Sequence, residues 1–200
     1  MKLFTAQPDL FGGAGLPGLS QADAFVTPNE EQVLIASIDV VELSPFRFHG
    51  WFGRRLTASY GWQYDFDNAS FAPAEAIPDW LLPVRAKAAR FAGLEPDELV
   101  QALLIRYDPG AGIGWHRDRP VFEHVLGISL GAPATMRFRR RKPGGFERAS
   151  ALLGPRTAPS TMLCFVCSFV SKSRGAGSSQ STSKCSRRSG STALHRSLVV

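Results

Sequence analysis

The chain is 200 residues long, 44% hydrophobic and 20% charged, enough apolar sequence for one domain that buries a core without disulfides or a structural metal. No apolar run reaches the roughly 18 residues of a membrane span and no charged-then-apolar leader opens the chain, which predicts a cytoplasmic protein with no membrane partner. The formal charge of +6 is uneven: residues 148–200 hold eight Lys or Arg and no acid, leaving 15 basic against 17 acidic residues in 1–147, so the basic balance belongs to the C-terminal part and is no argument for a polyanionic partner of the whole.

Residues 1–18 are Gly/Pro-rich and read as a loose segment. A helix starts at Thr27, where Thr as N-cap, Pro28 in the first helical position and Glu30 in the third make a capping box. It should run to about Asp39, with Val33, Leu34 and Ile38 on one face. Residues 46–66 alternate in short aromatic segments and read as a hairpin, and the Pro-rich residues 68–78 as a loop. Asp79 is placed to cap a second helix, with Leu82, Arg85, Ala89 and Ala92 at helical spacing and Gly93 at its end. Residues 100–107, 124–130 and 135–140 are β-rich runs separated by Gly or Pro, the pattern of strands in a sandwich or barrel flanked by the two helices.

The chemistry concentrates between Arg106 and Asp118. The apolar run at 100–105 reads as a buried strand; Pro109, Gly110, Gly112 and Gly114 then break regular structure before His116-Arg117-Asp118. An imidazole and a carboxylate two residues apart suit adjacent positions of one octahedral ion, the start of a 2-His-1-carboxylate set on non-haem Fe(II), whose third ligand must come from further along. The plain alternative is a polar turn on the surface. Trp115 reads as packing, and His124, six residues after Asp118, as a solvent or groove residue. Two local basic patches stand out, Arg54-Arg55 and Arg137 with Arg139-Arg140-Arg141-Lys142; each is either a solvated strand end or a phosphate contact.

Three blocks carry a family resemblance: Phe48-His49-Gly50-Trp51-Phe52-Gly53-Arg54-Arg55 with Ser59-Tyr60-Gly61-Trp62-Gln63-Tyr64-Asp65; Tyr107-x-Pro109-Gly110 through His116-Arg117-Asp118; and 125–131 with Met136-Arg137-Phe138-Arg139. In that order they resemble the AlkB-like Fe(II)/2-oxoglutarate-dependent nucleic-acid dealkylases, over about residues 17–157. The resemblance implies an α+β chain folded as a double-stranded β-helix, or jelly roll, flanked by N-terminal helices, over a dioxygenase-like domain at 19–157. It implies Fe(II) on His116 and Asp118, 2-oxoglutarate held by Tyr107, and a monomeric enzyme that acts on DNA or RNA in alkylation repair. Ile105 departs from relatives that carry an Asn touching the cosubstrate. Arg54, Arg55, Tyr60, Trp62 and Tyr64 resemble the family's nucleotide-recognition lid, in which aromatic faces stack on an extruded base and arginines hold flanking phosphates. The residues themselves also allow an ordinary hairpin whose Tyr60, Trp62 and Tyr64 only pack.

The resemblance stops at about 157. No His lies between His124 and His195, so the family's second metal His is missing, as is the Arg-Tyr and further Arg that hold the cosubstrate's far carboxylate. Cys164, Cys167 and Cys185 fall here without a second CxxC pair and read as incidental, not as a zinc site. Eleven serines lie between Ser168 and Ser197. Residues 158–200 are thus expected as a poorly ordered Ser/Arg-rich tail with no completed strands, of the composition that translation in a shifted reading frame gives. Three functions stay open: a nucleic-acid dealkylase with impaired activity, a dioxygenase of the same fold acting on a protein or small molecule, and a metal-impaired remnant that only binds nucleic acid.

Overall fold

A computed structural model describes residues 19–48, 50–65, 67–116, 124–161, 169–170, 183–188 and 195–199. In chain order they form β1 (Leu19–Ala22), α1 (Pro28–Asp39), β2 (Ser44–Phe48), β3 (Trp51–Tyr60), β4 (Trp62–Asp65), β5 (Ser70–Pro73), α2 (Leu82–Ala92), β6 (Gln101–Tyr107), β7 (Gly112–His116), β8 (Val125–Gly131), β9 (Ala134–Lys142), β10 (Gly145–Leu153), β11 (Ala158–Thr161), β12 (Phe169–Val170), β13 (Ser183–Arg188) and β14 (His195–Val199). Among the described residues one sheet runs β1-β11-β8-β14-β6-β3-β2, with β12 also on β6; a second runs β10-β9-β13-β7; β4 and β5 pair alone. None of these helices is long and apolar enough to cross a membrane.

Helix α1 begins as its sequence dictates. The Thr27 side chain accepts from the Glu30 backbone N–H at 3.2 Å, and Glu30 accepts from the Thr27 N–H at 2.6 Å, so two of the four orphan donors of a helix start are satisfied. Leu34 and Ile38, four apart, are buried, whereas Val33 is 55% exposed; a position rotated about 100° from Leu34 leaves the core stripe, which corrects the expected face. Glu31 on the same helix accepts from the Gly131 N–H at 2.9 Å and ties α1 to the end of β8. Helix α2 ends at Gly93 in the left-handed conformation, with its N–H returned to the helix carbonyls. Asp79 does not cap it by side chain; it opens a short 3-10 turn that leads in.

Two apolar clusters divide the molecule. Leu34, Ile38, Val84, Ala88, Leu104, Leu126, Ile128 and Leu130 belong to the first, which seats both helices on one face of the large sheet. Ile105, Tyr107, Ala111, Met136, Phe138 and Leu153 form the second, between the large sheet and the small one. Alternation does the sorting: on β6, Ala102 and Leu104 serve the first cluster, Ile105 and Tyr107 the second. Each fully buried Leu or Ile contributes about 1.5–3 kcal/mol relative to exposure, so β6 and β8, apolar on both faces, anchor the fold.

Two further expectations are corrected. Residues 70–73, read as loop, are β5, in antiparallel register with β4 from Trp62↔Pro73 to Asp65↔Ser70. Past residue 157, β11 lies between β1 and β8. The C-terminal part does not lack strands: β13 pairs with both β9 and β7, and β14 with both β6 and β8. Backbone hydrogen bonding is indifferent to side-chain identity, and both strands enter between partners that already present free edges.

Candidate active site

Strand β6 delivers Tyr107, 1% exposed, to the space between the sheets. A tight turn follows: the Ala111 N–H donates to the Asp108 carbonyl at 2.8 Å, Gly110 takes φ +79°, and Arg106 Nε holds Asp108 at 3.1 Å. The chain then reverses into β7, which ends on His116. In register His116 stands opposite Cys185, and Cys185 opposite Phe138; Phe138 belongs to the cluster between the sheets. His116 and Tyr107 therefore face the same interior from opposite sheets.

His116 Nδ1 lies 2.8 Å from the Gly114 carbonyl oxygen, an atom that only accepts, so the contact occupies Nδ1 and leaves Nε2 as the ring nitrogen that could meet a metal. Asp118 lies outside the described residues, as does Arg117. Among the described residues no three of His, Cys, Asp and Glu come together as a metal cage. The backbone of His195 stands opposite both Tyr107 and Gly131, so the chain's last histidine returns to the strand beside the tyrosine. Ile105 is 2% exposed and faces the same interior. His124 is half-buried just before β8, and Trp115, on the opposite face of β7 from His116, lies under the Arg139 guanidinium.

The basic and aromatic residues of β3 and β4 separate into different environments. Arg55 is 8% exposed, its guanidinium 3.8 Å from the Phe46 ring centroid. Since Leu56 pairs with Arg106, one further step of the register sets Arg55 level with Tyr107. Arg54 points outward and is exposed. Tyr60 is buried in the first cluster, where burial, and then the charge of Glu75, push its hydroxyl above the usual phenol range. Its ring faces are covered, so it packs and cannot stack on a base. Trp62 and Tyr64 are half-buried on β4, and the Trp62 indole stacks on Phe71, centroids 5.0 Å apart at 14°. Gly61 makes the corner between β3 and β4, at φ +76°, where any Cβ would collide with the Val100 carbonyl.

Trp51 and Phe52 lie in the same hairpin, outside the basic and aromatic set predicted from the sequence. They are 79% and 72% exposed at the start of β3, next to the Gly50 turn and Arg54. Two aromatic residues in succession cannot both point inward on a strand, and that signal was available in the sequence.

Residues 32–159 match the 2OG-Fe(II) oxygenase superfamily. Among curated proteins, the chain is 30% identical over 128 residues to a Xenopus tropicalis tRNA (carboxymethyluridine(34)-5-O)-methyltransferase, alkbh8, covering 62% of this chain and 20% of that protein. It is 26% identical over 136 residues to an Arabidopsis thaliana alkylated DNA repair protein, an ALKBH8 homolog, covering 62% of this chain and 37% of that one; it thus spans well under half the length of either. Of solved structures, OsALKBH1 superposes with a TM-score of 0.61 at 13% identity, over 91% of this chain and 95% of that one. A 2OG-Fe(II) oxygenase-family oxidoreductase from Burkholderia pseudomallei gives 0.57 at 15% identity, over 92% and 84%, and a Pseudomonas putida prolyl-4-hydroxylase 0.54 at 13%, over 91% and 90%. The chain belongs to the 2OG-Fe(II) oxygenase superfamily, dioxygenases that use Fe(II) and 2-oxoglutarate, and is similar within it to AlkB homologues.

Proposed function

We propose that this chain derives from an oxidative dealkylase of N-alkylated bases in DNA or RNA, on a double-stranded β-helix, and that as written it is impaired. The observation that carries the reading is the convergence of His116, with Nε2 left for a metal, and buried Tyr107 on one interior between the two sheets. That arrangement fits a metal site in the donor it supplies and leaves the set unfinished among the described residues. His116 and Asp118 would hold Fe(II), and the Tyr107 hydroxyl would hold the 2-oxoglutarate. When bound, the metal and cosubstrate supply an oxidant for a C–H bond; on an N-methyl carbon the hydroxylated product falls apart to formaldehyde and the bare base.

The protein's own part is to bind, orient and keep water out. Apolar walls from Ile105, Met136 and Phe138 line the interior, and a dry site strengthens each polar contact made within it. Arg54, with exposed Trp51 and Phe52, and half-buried Trp62 and Tyr64 offer the aromatic and basic surface that an unstacked nucleotide needs. Arg55, turned inward level with Tyr107, serves the site from within instead of meeting flanking phosphates. A tRNA modifier and a DNA repair protein are both among the relatives, so either nucleic acid suits the reading.

A second reading, a remnant that binds without turnover, is favoured by the metal set left unfinished among the described residues. The two readings differ in one assay. Succinate release is measured with Fe(II), 2-oxoglutarate and a single-stranded oligonucleotide bearing one N-methylated base, for this chain, for His116→Ala, and for a version whose reading frame is restored after Arg156. Weak release by this chain, lost in His116→Ala and raised at least about tenfold by restoration, is expected; a missing charge-assisted bidentate contact alone is worth about 1.5–3 kcal/mol. Equal activity of the chain as written and the restored version would reject the impairment.

A further inference from the structure

The small sheet has a second side, facing away from the site. On β9 and β10 the inward positions are Met136, Phe138, Ala149, Ala151 and Leu153, all part of the cluster between the sheets. The alternate, outward positions carry Arg137, Arg139 and Arg141 on β9 and Phe146 and Arg148 on β10, with Arg139 directly opposite Arg148 and Arg141 opposite Phe146. No acid occupies an outward position of either strand. The hairpin's acid, Glu147, belongs to the other face, where Arg140 and Lys142 hold it at 2.7 and 3.1 Å. These outward arginines thus form a face of one sign, without an ion pair among the described residues.

The face is also built. The Arg139 guanidinium lies over two rings, 4.4 Å from the Trp115 centroid and 4.8 Å from that of Phe146, and its Nε has no hydrogen-bond partner among the described residues. An arginine stacked on aromatic rings is held by its flat faces, so with Nε buried it is the terminal guanidinium nitrogens of Arg139 that are left to meet an acceptor. Trp115 and Phe146 remain 36% and 44% exposed. Along a strand, alternate residues recur every ~6.7 Å, so Arg137, Arg139 and Arg141 make a ladder of cations with aromatic surface between.

We propose that this outer face of β9 and β10 binds the phosphate backbone of a nucleic-acid strand, as a surface separate from the site that takes the modified base. Charge complementarity selects the occupant: guanidinium forks match phosphate oxygens, and exposed aromatic faces interleaved with them match bases, a combination that single-strand binders use. Strand β7 links the two surfaces, because His116 faces the interior and its neighbour Trp115 the outer face. The proposal rests on the nucleic-acid reading of the site for its occupant, yet it concerns different residues and is tested apart from turnover.

The test is fluorescence anisotropy of a labelled oligo(dT) or oligo(U) strand with the full chain, titrated across KCl concentrations, beside Arg137→Gln/Arg141→Gln/Arg148→Gln, which alters exposed side chains alone. For single strands each neutralised phosphate contributes about 0.7 to the slope of log K against log salt, so the triple variant should lose about 2 from the slope and roughly ten- to a hundredfold in affinity near ~0.1 M KCl. Unchanged affinity and slope would overturn the proposal while leaving the dealkylase reading intact. So would the absence of strand binding by the parent chain, or displacement of the strand by polyglutamate or anionic vesicles at equal charge. Conversely, strand binding with the expected slope but no succinate release from any version of the chain would reject the reading of the site and leave this surface standing.

Discussion

Replacing Gly61 by Ala tests whether the corner that sets β4 against β3 is built on a glycine for steric reasons. A non-glycine residue at φ +76° carries about 1–2 kcal/mol of strain, of which the stiffer unfolded chain returns about 0.4–1 kcal/mol. The added Cβ meets the Val100 carbonyl, which is backbone, and Ile77 Cγ1 at 3.1 Å, so the corner itself must shift. Two hydrogen bonds depend on it, from the Gly61 N–H to the Glu75 carbonyl at 2.5 Å and from the Ala74 N–H to the Gly61 carbonyl at 2.9 Å, each worth about 0.5–1.5 kcal/mol net. Together these give a destabilisation of about 2–4 kcal/mol. For a chain of this size that lowers Tm by roughly 5–15 °C. Gly144→Ala is the control, since Gly144 also has positive φ, +84°, but a Cβ there meets nothing within 4 Å; it should show the backbone strain alone. Calorimetric or circular-dichroism melts of the two variants decide it. If they melt within about 2 °C of one another, the collision with Val100 is not real and the placement of Trp62 and Tyr64 by this corner fails with it.

Glu30 is held below the usual carboxylate range, first by the Thr27 backbone N–H and then by Lys87. A depressed pKa contributes stability that is present above the unfolded value, near 4.5, and is lost as pH falls through the folded one; the acid limb of the stability curve below that pH should flatten in Glu30→Gln, and an unchanged limb would refute the link. Arg85 donates to the Leu99 carbonyl at 2.9 Å with its side chain 15% exposed, whereas its other partner, Asp97, is 99% exposed. Urea unfolding should therefore show a loss of about 1–3 kcal/mol in Arg85→Ala and within about 0.5 kcal/mol of no change in Asp97→Asn. In the frame-restored chain, Tyr107→Phe should raise the KM for 2-oxoglutarate about two- to tenfold, the worth of one hydrogen bond; no change in KM would remove Tyr107 from the cosubstrate site.

What the sequence made legible follows the range of the interactions involved. The α1 start was readable because Thr27, Pro28 and Glu30 act within one turn, and β6 because both of its faces are apolar. The face of α1 was misassigned at Val33, where local spacing alone does not say which of two adjacent apolar residues meets the sheet. Strand β5 was hidden by its proline, because only the pairing with β4 makes Ser70–Pro73 a strand. The turn that carries the chain from Tyr107 back to His116 was legible in its glycines and proline, while the inward turn of Arg55 and the burial of Tyr60 were not: period-two alternation predicts that they point to opposite faces, but not that both faces of β3 are covered at those positions. The outer arginine ladder was visible as a charge cluster, but a cluster in sequence contains two populations. Arg140 and Lys142 pair with Glu147 on one side, and Arg137, Arg139 and Arg141 stand on the other.

The C-terminal strands separate two things that a native sequence supplies together, a backbone to pair with and side chains to do chemistry. Strand β14 lies between β6 and β8 with five residues in register on each side, a central position between two strands that are themselves apolar on both faces. Its text is His-Arg-Ser-Leu-Val, and Ser197 stands in register with Ser129, whose hydroxyl is buried without a hydrogen-bond partner among the described residues. Pairing survives such a sequence because the ladder is made by N–H and C=O groups, whereas ligand supply depends on the side chains. Stability and activity should then come apart. Truncation before residue 189 removes both ladders of β14 and leaves β6 and β8 with open edges. At about 1 kcal/mol per backbone bond that is several kcal/mol from a net stability of about 5–15, so the truncated chain should lose its cooperative melt or fail to stay in solution. Frame restoration, by contrast, exchanges side chains on strands already in place and should raise succinate release far more than it raises Tm. A truncated chain that melts within about 2 °C of the full one would show that β14 contributes no stability, and the tail would be an appendage, not the closing strand of the sheet.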